Sequence, residues 1–444
     1  MVQSYHFYLF FSVIIAGTAG LLFGFDTGNI AGALIFIQEE MGASLFECEV
    51  IVSVTVIGAC VGAILSGRAV DFFGRKEMLL FSAGLFIVGA VLGFYALTIL
   101  ALILARAILG FAIGISSYTA PLYLSEISPP HIRGALVLIN GIGITFGEAI
   151  AFLLDYFFAA NENWRMMILS GMLPGIVLLC GMSMMPQSPR WLVSKKKIGK
   201  AYHILKKLRS DNIKAELRAI KNTLAPCASP PSIWLPVFRW PLIIGLGLGI
   251  CQQFVGINTI MYYGPYIFKA VGFEHPQTQI LMTFLMGLAN ATMTVVAVLI
   301  VDWVGRRKLL LTGTFLSGTA LLVATLLFAG GVETKQNAYL FVSFLTLYVV
   351  GYCLSVGSLF WLIISEIFPL TIRARAMSFV TAVQWLANFI VSMTFLSLFH
   401  NLGPSQTLSI FASFCFFTFW FCWRYVPETK GLSLEQIERI WRVS

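Results

Sequence analysis

The sequence predicts an all-α membrane protein: twelve transmembrane helices in two pseudo-symmetric six-helix bundles, joined by a cytoplasmic helical linker. Three observations carry this expectation. The 444 residues are 58% hydrophobic and 11% charged, whereas a soluble domain carries roughly a quarter charged residues. The apolar residues gather into runs of transmembrane length, about 20 residues each. Several short segments also recur within the chain at nearly constant offset. A single soluble core stops growing near about 250 to 300 residues, so this much Leu, Ile, Phe and Val needs lipid as a second solvent. The bilayer is therefore a partner by necessity.

In chain order the apolar runs cover residues 7–36, 50–70, 77–97, 99–121, 135–158 and 165–185, then 240–269, 278–301, 308–330, 338–364, 374–398 and 404–425. The predicted organisation is a first bundle over 1–185, a linker over 186–239, a second bundle over 240–425 and a cytoplasmic tail over 426–444 with a helix from Ser433. The linker holds Lys195, Lys196, Lys197, Lys206, Lys207, Arg209, Asp211, Lys214, Glu216 and Arg218, a composition suited to short amphipathic helices in water. The first apolar run is too long for a cleavable signal peptide, so it stays as a helix.

Orientation follows from the cations, because Lys and Arg are retained on the cytoplasmic side during insertion. With Met1 inside, all but four of the 29 Lys and Arg residues fall in cytoplasmic segments; the exceptions are Arg106, Arg165, Lys269 and Lys335. The outer loops are expected to carry Glu39, Glu40, Glu47, Glu49, Glu162, Glu274 and Glu333. Both termini are thus expected in the cytoplasm. The net charge of +9 reflects this topology and anionic lipid rather than nucleic acid, for which no role is needed. Seven of the eight cysteines lie in or beside apolar spans without metal spacing or a paired framework, and read as small buried hydrophobes. No metal, cofactor or catalytic constellation is expected, which sets enzymes aside.

The internal repeat is the most specific feature. Ser-Glu-Ile-x-Pro-x-x-Ile-Arg occurs at 125–133 and again at 365–373; Asp71, Gly74, Arg75 and Lys76 match Asp302, Gly305, Arg306 and Arg307; Pro186-Gln187-Ser188 matches Pro427-Glu428-Thr429. Both copies follow an even number of spans and face the same side, so the halves are parallel repeats about an axis along the membrane normal.

These residues also carry a resemblance that covers nearly the whole chain. The repeated Asp-x-x-Gly-Arg loops, Pro-Gln-Ser-Pro-Arg-Trp-Leu at 186–192, Gln-Gln-Phe-Val-Gly-Ile-Asn at 252–258 and Pro-Glu-Thr-Lys-Gly at 427–431 are similar to the sugar porter family of the major facilitator superfamily. The resemblance implies alternating access, in which two bundles rock about a midplane site that opens to one side at a time. It also implies a cytoplasmic latch. Asp71 with Arg75, Glu126 with Arg133, Asp302 with Arg306, and Glu366 with Arg373 sit at cytoplasmic helix ends where they can pair across bundle seams, joined by Arg190 and Glu428. Each exposed pair is worth about 0 to 1 kcal/mol, but a network can bias two states separated by a few.

Two ionisable residues stand out inside the membrane, Asp26 in the first span and Arg106 in the fourth. A charge at mid-depth costs about 2.5 to 3.5 kcal/mol on insertion scales, so it faces a cavity and a partner; each is expected to face the other. Gly20, Gly24, Gly28 and Gly32 form a stripe at four-residue spacing that admits a close helix neighbour, with Asp26 on the opposite side. An acid and an arginine at these positions resemble the proton symporters of the family. The implied switch is a carboxylate that stays ionised beside arginine and takes a proton when the arginine withdraws.

Sugars offer hydroxyls and flat C–H faces but no charge, so their contacts come from neutral amides and aromatic planes. Gln252, Gln253, Asn258, Tyr262 and Tyr263 cluster in the seventh span, which Gly256 and Pro265 can unwind. Asn290 lies in the eighth span, Trp361 in the tenth, and Gln384, Trp385 and Asn388 in the eleventh. The family match points to Gln252, Gln253, Asn258, Asn290, Trp361 and Gln384 as the sugar contacts. The chain departs from the family pattern at Gly141, where a sugar-binding Gln is usual, at Glu148 on the same helical face, at Phe72 in the first loop motif, and at Ser358 in place of a proline. The expected activity is import of a monosaccharide or cyclic polyol with a proton, by a protein functional as a monomer in a bacterial cell membrane. A facilitative uniporter, a non-transporting sensor and a drug exporter are the alternatives.

Overall fold

Local chemistry sets where the helices begin. Ser44 and Glu47 cap each other at the start of the second span, Glu47 N–H donating to the serine hydroxyl (3.2 Å) and Ser44 N–H to the Glu47 carboxylate (2.8 Å), a reciprocal capping box. Thr98 and Thr334 accept from Ala101 N and Asn337 N at the fourth and tenth. Pro276 and Pro404 occupy the first helical position of the eighth and twelfth spans, where the missing N–H costs nothing.

The structure, a computed structural model, describes residues 2–128, 133–208, 213–223, 232–331, 334–369 and 372–430. Among these, twelve helices are long and apolar enough to cross a membrane: α1 Phe11–Met41, α2 Leu45–Phe73, α3 Arg75–Phe94, α4 Ile99–Ile127, α5 Ile139–Ala159, α6 Trp164–Met184, α7 Pro236–Tyr262, α8 Pro276–Val304, α9 Arg306–Ala329, α10 Lys335–Ile367, α11 Arg375–Asn401 and α12 Pro404–Tyr425. The all-α class and the six-plus-six count agree with the sequence. The predicted tail helix from Ser433 lies outside the described residues.

The first outer loop is shorter than expected, since α1 runs on to Met41 and α2 starts at Leu45. Glu39, Glu40, Glu47 and Glu49, assigned to that loop, are helical instead. Glu49 is buried, accepting hydrogen bonds from the Ser397 backbone N–H and hydroxyl, both at 2.7 Å. A carboxylate with two donors tolerates burial that an unpaired one does not.

Three spans are broken. The seventh stops at Phe254, turns at Gly256 (φ 90°) and resumes over Ile257–Tyr262 and Gly264–Ala270. The sixth is interrupted at Gly171. The tenth opens into a wide turn at Cys353–Gly357, with Ser355 far from helical geometry (φ −118°, ψ −117°), before Ser358–Ile367. This break forms without the family's proline at Ser358.

By packing, the chain forms two compact units: Met1–Asn29, Val54–Ala151 and Arg165–Ser229 in one; Ile30–Ser53, Phe152–Trp164 and Pro230–Ser444 in the other. In the first unit the glycine stripe of α1 lies on α5. A Cβ on Gly20 would stand 2.3 Å from the Asn140 carbonyl oxygen, and one on Gly24 1.9 Å from that of Ile144, so backbones meet where side chains would not fit. The linker helices Pro189–Ser194, Ile198–Leu208 and Ile213–Thr223 bury a small core of Trp191, Leu192, Val193, Ala201, Leu205 and Ile220. The Trp191 indole N–H ties that core to the Asp71 carbonyl at 3.0 Å.

Candidate functional site

In the first unit the Arg106 guanidinium of α4 donates to the Asp26 carboxylate of α1, and both side chains are buried. The close α1–α5 seam occupies one side of α1 and leaves the other to the ion pair. A small cavity lined by Asp26, Asn29 and Arg106 together with Phe86, Leu109, Ile168 and Gly171 adjoins it, and the Ser170 hydroxyl donates to Asn29 (3.3 Å). The pair ties α1 to α4 beside that cavity. On α5, Asn140 and Glu148 are buried, while nothing lies within 4 Å of where a Cβ on Gly141 would stand.

In the second unit the break in α7 assembles an amide network. Gln252 donates to the Val356 carbonyl (3.1 Å) in the open turn of α10 and accepts from Gln384 Nε2 of α11 (2.9 Å). Gln253 accepts from Asn258 across Gly256 (2.8 Å). Gln384 keeps its own Oε1 buried with no hydrogen-bond partner, an acceptor for which a ligand hydroxyl is the natural donor. The Asn388 carboxamide oxygen accepts from Ser392 (3.1 Å), and that of Asn290 from the Cys353 thiol (2.9 Å).

The aromatic candidates divide. Tyr263 donates to the Ser392 carbonyl (2.9 Å) and stacks on Phe395, so its hydroxyl is structural here. Tyr262 and Trp385 are buried. Trp361 is 43% exposed and stands edge-on to Phe360; it follows the same open turn of α10 that holds Gln252. Sequence reasoning missed Tyr348, whose hydroxyl donates to the Val255 carbonyl at the α7 break (2.8 Å). A tyrosine amid the apolar run of α10 gave no sign of that contact.

The charges predicted to be cytoplasmic form two equivalent clusters, one in each unit. Arg75 pairs with Asp71 (3.3 Å) and Glu126 (2.9 Å), and the Ser188 hydroxyl caps the linker helix at Trp191 N (3.2 Å). Arg306 pairs with Asp302 (2.9 Å) and Glu366 (3.1 Å), and Thr429 donates to Glu366 (2.6 Å). Arg190 acts electrostatically on Glu126. Glu428 caps α9, accepting from Arg306 N and Arg307 N at 3.0 and 3.1 Å, where the helix dipole favours an anion.

Within their own units Glu126 pairs with Arg75, and Glu366 with Arg306 and Thr429 rather than with the neighbouring Arg373. The loop arginine lies only four residues from its aspartate, and its helix packs beside the glutamate's. Arg373 instead donates Nε–H to the Phe368 carbonyl (3.0 Å), and burial holds its guanidinium below the usual arginine range. The Arg133 side chain lies outside the described residues.

Two repeated helix sets, a buried acid–arginine pair and a neutral amide network define a membrane transporter of uncharged polar solutes rather than an enzyme. The family profile for sugar (and other) transporters matches residues 12–441, and the chain belongs to that family, within the major facilitator superfamily. It is 38% identical to the galactose-proton symporter of Escherichia coli (strain K12), over 97% of this chain and 94% of that one. It is 36% identical to the arabinose-proton symporter of the same strain, over 97% and 92%. Among solved structures it is similar to the proton:xylose symporter XylE bound to 6-bromo-6-deoxy-D-glucose, with a TM-score of 0.82 and 29% identity, covering 98% of this chain and all of that one.

Proposed function

We propose that this protein imports a hexose or pentose together with a proton by alternating access, from a cell membrane in which both termini are cytoplasmic. The buried Asp26–Arg106 pair carries the proposal. Proton coupling needs a carboxylate that is stable ionised in one state and neutral in another, and this acid has a strong counter-charge in Arg106 beside a small, largely apolar cavity. Withdrawal of Arg106 would leave Asp26 unpaired in a low-dielectric site, where it takes a proton. The names of the relatives, symporters of galactose and arabinose with protons, support the same coupling.

Sugar binding is assigned to Gln252, Gln253, Asn258, Asn290, Trp361 and Gln384, with Tyr262, Tyr263, Trp385 and Asn388 shaping the surround. A hydroxyl of the sugar donates to the unpartnered Gln384 oxygen, and Trp361 offers an indole plane to the C–H face. Asp71, Arg75, Glu126, Arg133, Arg190, Asp302, Arg306, Glu366, Arg373 and Glu428 act as the cytoplasmic latch, closed in the outward-open state and released as the inside opens. The test is counterflow and accumulation in proteoliposomes with galactose, arabinose, xylose and inositol. Asp26→Asn is expected to abolish accumulation while keeping exchange; a variant that still concentrates sugar against a gradient makes the protein a symporter through some other group, and a wild type that only equilibrates sugar makes it a uniporter.

A further inference from the structure

Asp155 sits near the outer end of α5 with none of its surface exposed, and neither carboxyl oxygen has a hydrogen-bond partner. Its cover is the bare backbone of α1 at Gly32, where an added Cβ would stand 2.3 Å from Oδ2. From Asn29 to Ile37 the facing helix carries no ionisable side chain. The ionisable groups of adjoining segments are engaged elsewhere: Glu39 with Lys269, Glu40 with the Trp164 indole, Glu47 with Ser44 and Glu49 with Ser397. Arg165 donates to the Ala96 carbonyl, Asp26 is held by Arg106, and Glu148 lies two turns back along α5.

An ionised carboxylate in that position would have neither water, donor nor cation, so the group is the neutral acid. As packing it does nothing an apolar side chain of its size would not do better. Its acidity is what distinguishes it, and that acidity is expressed only when the cover opens. Because Gly32 has no side chain, the cover over the carboxyl there is backbone alone, and it lifts only when α1 moves away from α5.

We propose that Asp155 is a second proton-binding residue of the transport cycle, holding its proton while α1 covers it at Gly32 and releasing it to water when that cover lifts. On release the Oδ–H bond breaks and the proton passes to a water molecule, leaving the carboxylate hydrated; on closure the reverse step restores the acid. The proposal rests on the symport reading above.

Infrared difference titration of the purified full-length protein in H2O and D2O reads the carbonyl stretch of protonated carboxyls directly, with no sugar required. A carboxylic-acid band at neutral pH is expected in the wild type and in Asp26→Asn, and is expected to be lost in Asp155→Asn. Gly32→Ala, which forces the cover off, is expected to weaken the same band at neutral pH. In proteoliposomes, Asp155→Asn is expected to flatten the dependence of galactose uptake on external pH while exchange persists. Persistence of the band in Asp155→Asn overturns the proposal, as does an unaltered uptake profile. If the wild type shows no counterflow of any sugar, the symport reading fails on its own, and the transport role of Asp155 fails with it; the band then reports only whether the residue holds a proton.

Discussion

Gln384 is the residue on which the proposed recognition turns, since it is both a member of the amide network through Gln252 and the holder of an oxygen left without a donor. Replacing it with Leu removes both functions and leaves Gln252 with an unanswered acceptor. Counterflow should show KM for the sugar rising about tenfold, equivalent to about 1.4 kcal/mol, with the protein still folded. A smaller effect from Asn388→Leu is expected, because its oxygen is already satisfied by Ser392. At this scale the sequence was partly legible. Gln252, Gln253 and Gln384 stand out because amides are conspicuous in apolar runs. Asp155 and Glu49 did not, because a carboxyl near a span's end reads as a boundary residue, and only packing shows that one is sealed and the other bonded to Ser397.

Among the elements, α7 depends on a glycine to hold its break open. Gly256 has φ of 90°, and a Cβ there would meet the Phe411 ring at 2.7 Å. Gly256→Ala is therefore expected to lower stability by about 1 to 2 kcal/mol from the left-handed backbone alone, visible as an earlier thermal transition in detergent, and to abolish transport. Gly24→Ala tests a different element, since its methyl would be driven into the Ile144 carbonyl of α5; loss of folded protein is the expected outcome, read by size-exclusion profile. The stripe of α1 was readable from its spacing, yet which helix lies against it was not, because glycine spacing describes a groove and says nothing of its occupant. The break in α10 was also hidden, as it arises from Ser355 within an otherwise helical run rather than from a proline.

For the whole molecule, duplication is the governing fact. Each half builds the same cluster from a loop arginine, its aspartate and the next helix pair's glutamate, and in the second half a hydroxyl of Thr429 joins it. Arg306→Glu should impair transport, and adding Glu366→Arg should restore much of it if the pair acts as a unit; uptake of the double variant against both singles measures the coupling. The repeat announced that such clusters exist, but the contact between particular ions was set by helix packing that recurrence in the chain does not encode.

The two copies differ in one cap. Glu428 closes the loop of the second half with a full negative charge at Gly305, whereas at Gly74 its counterpart Gln187 is a neutral amide that donates to Glu77, the carboxylate of the loop's own helix. Screening by salt weakens exposed charge contacts far more than neutral ones, so the two halves of a near-twin machine need not let go together. Raising ionic strength on the cytoplasmic face should loosen the later half first, giving a doubled protein a built-in order of release.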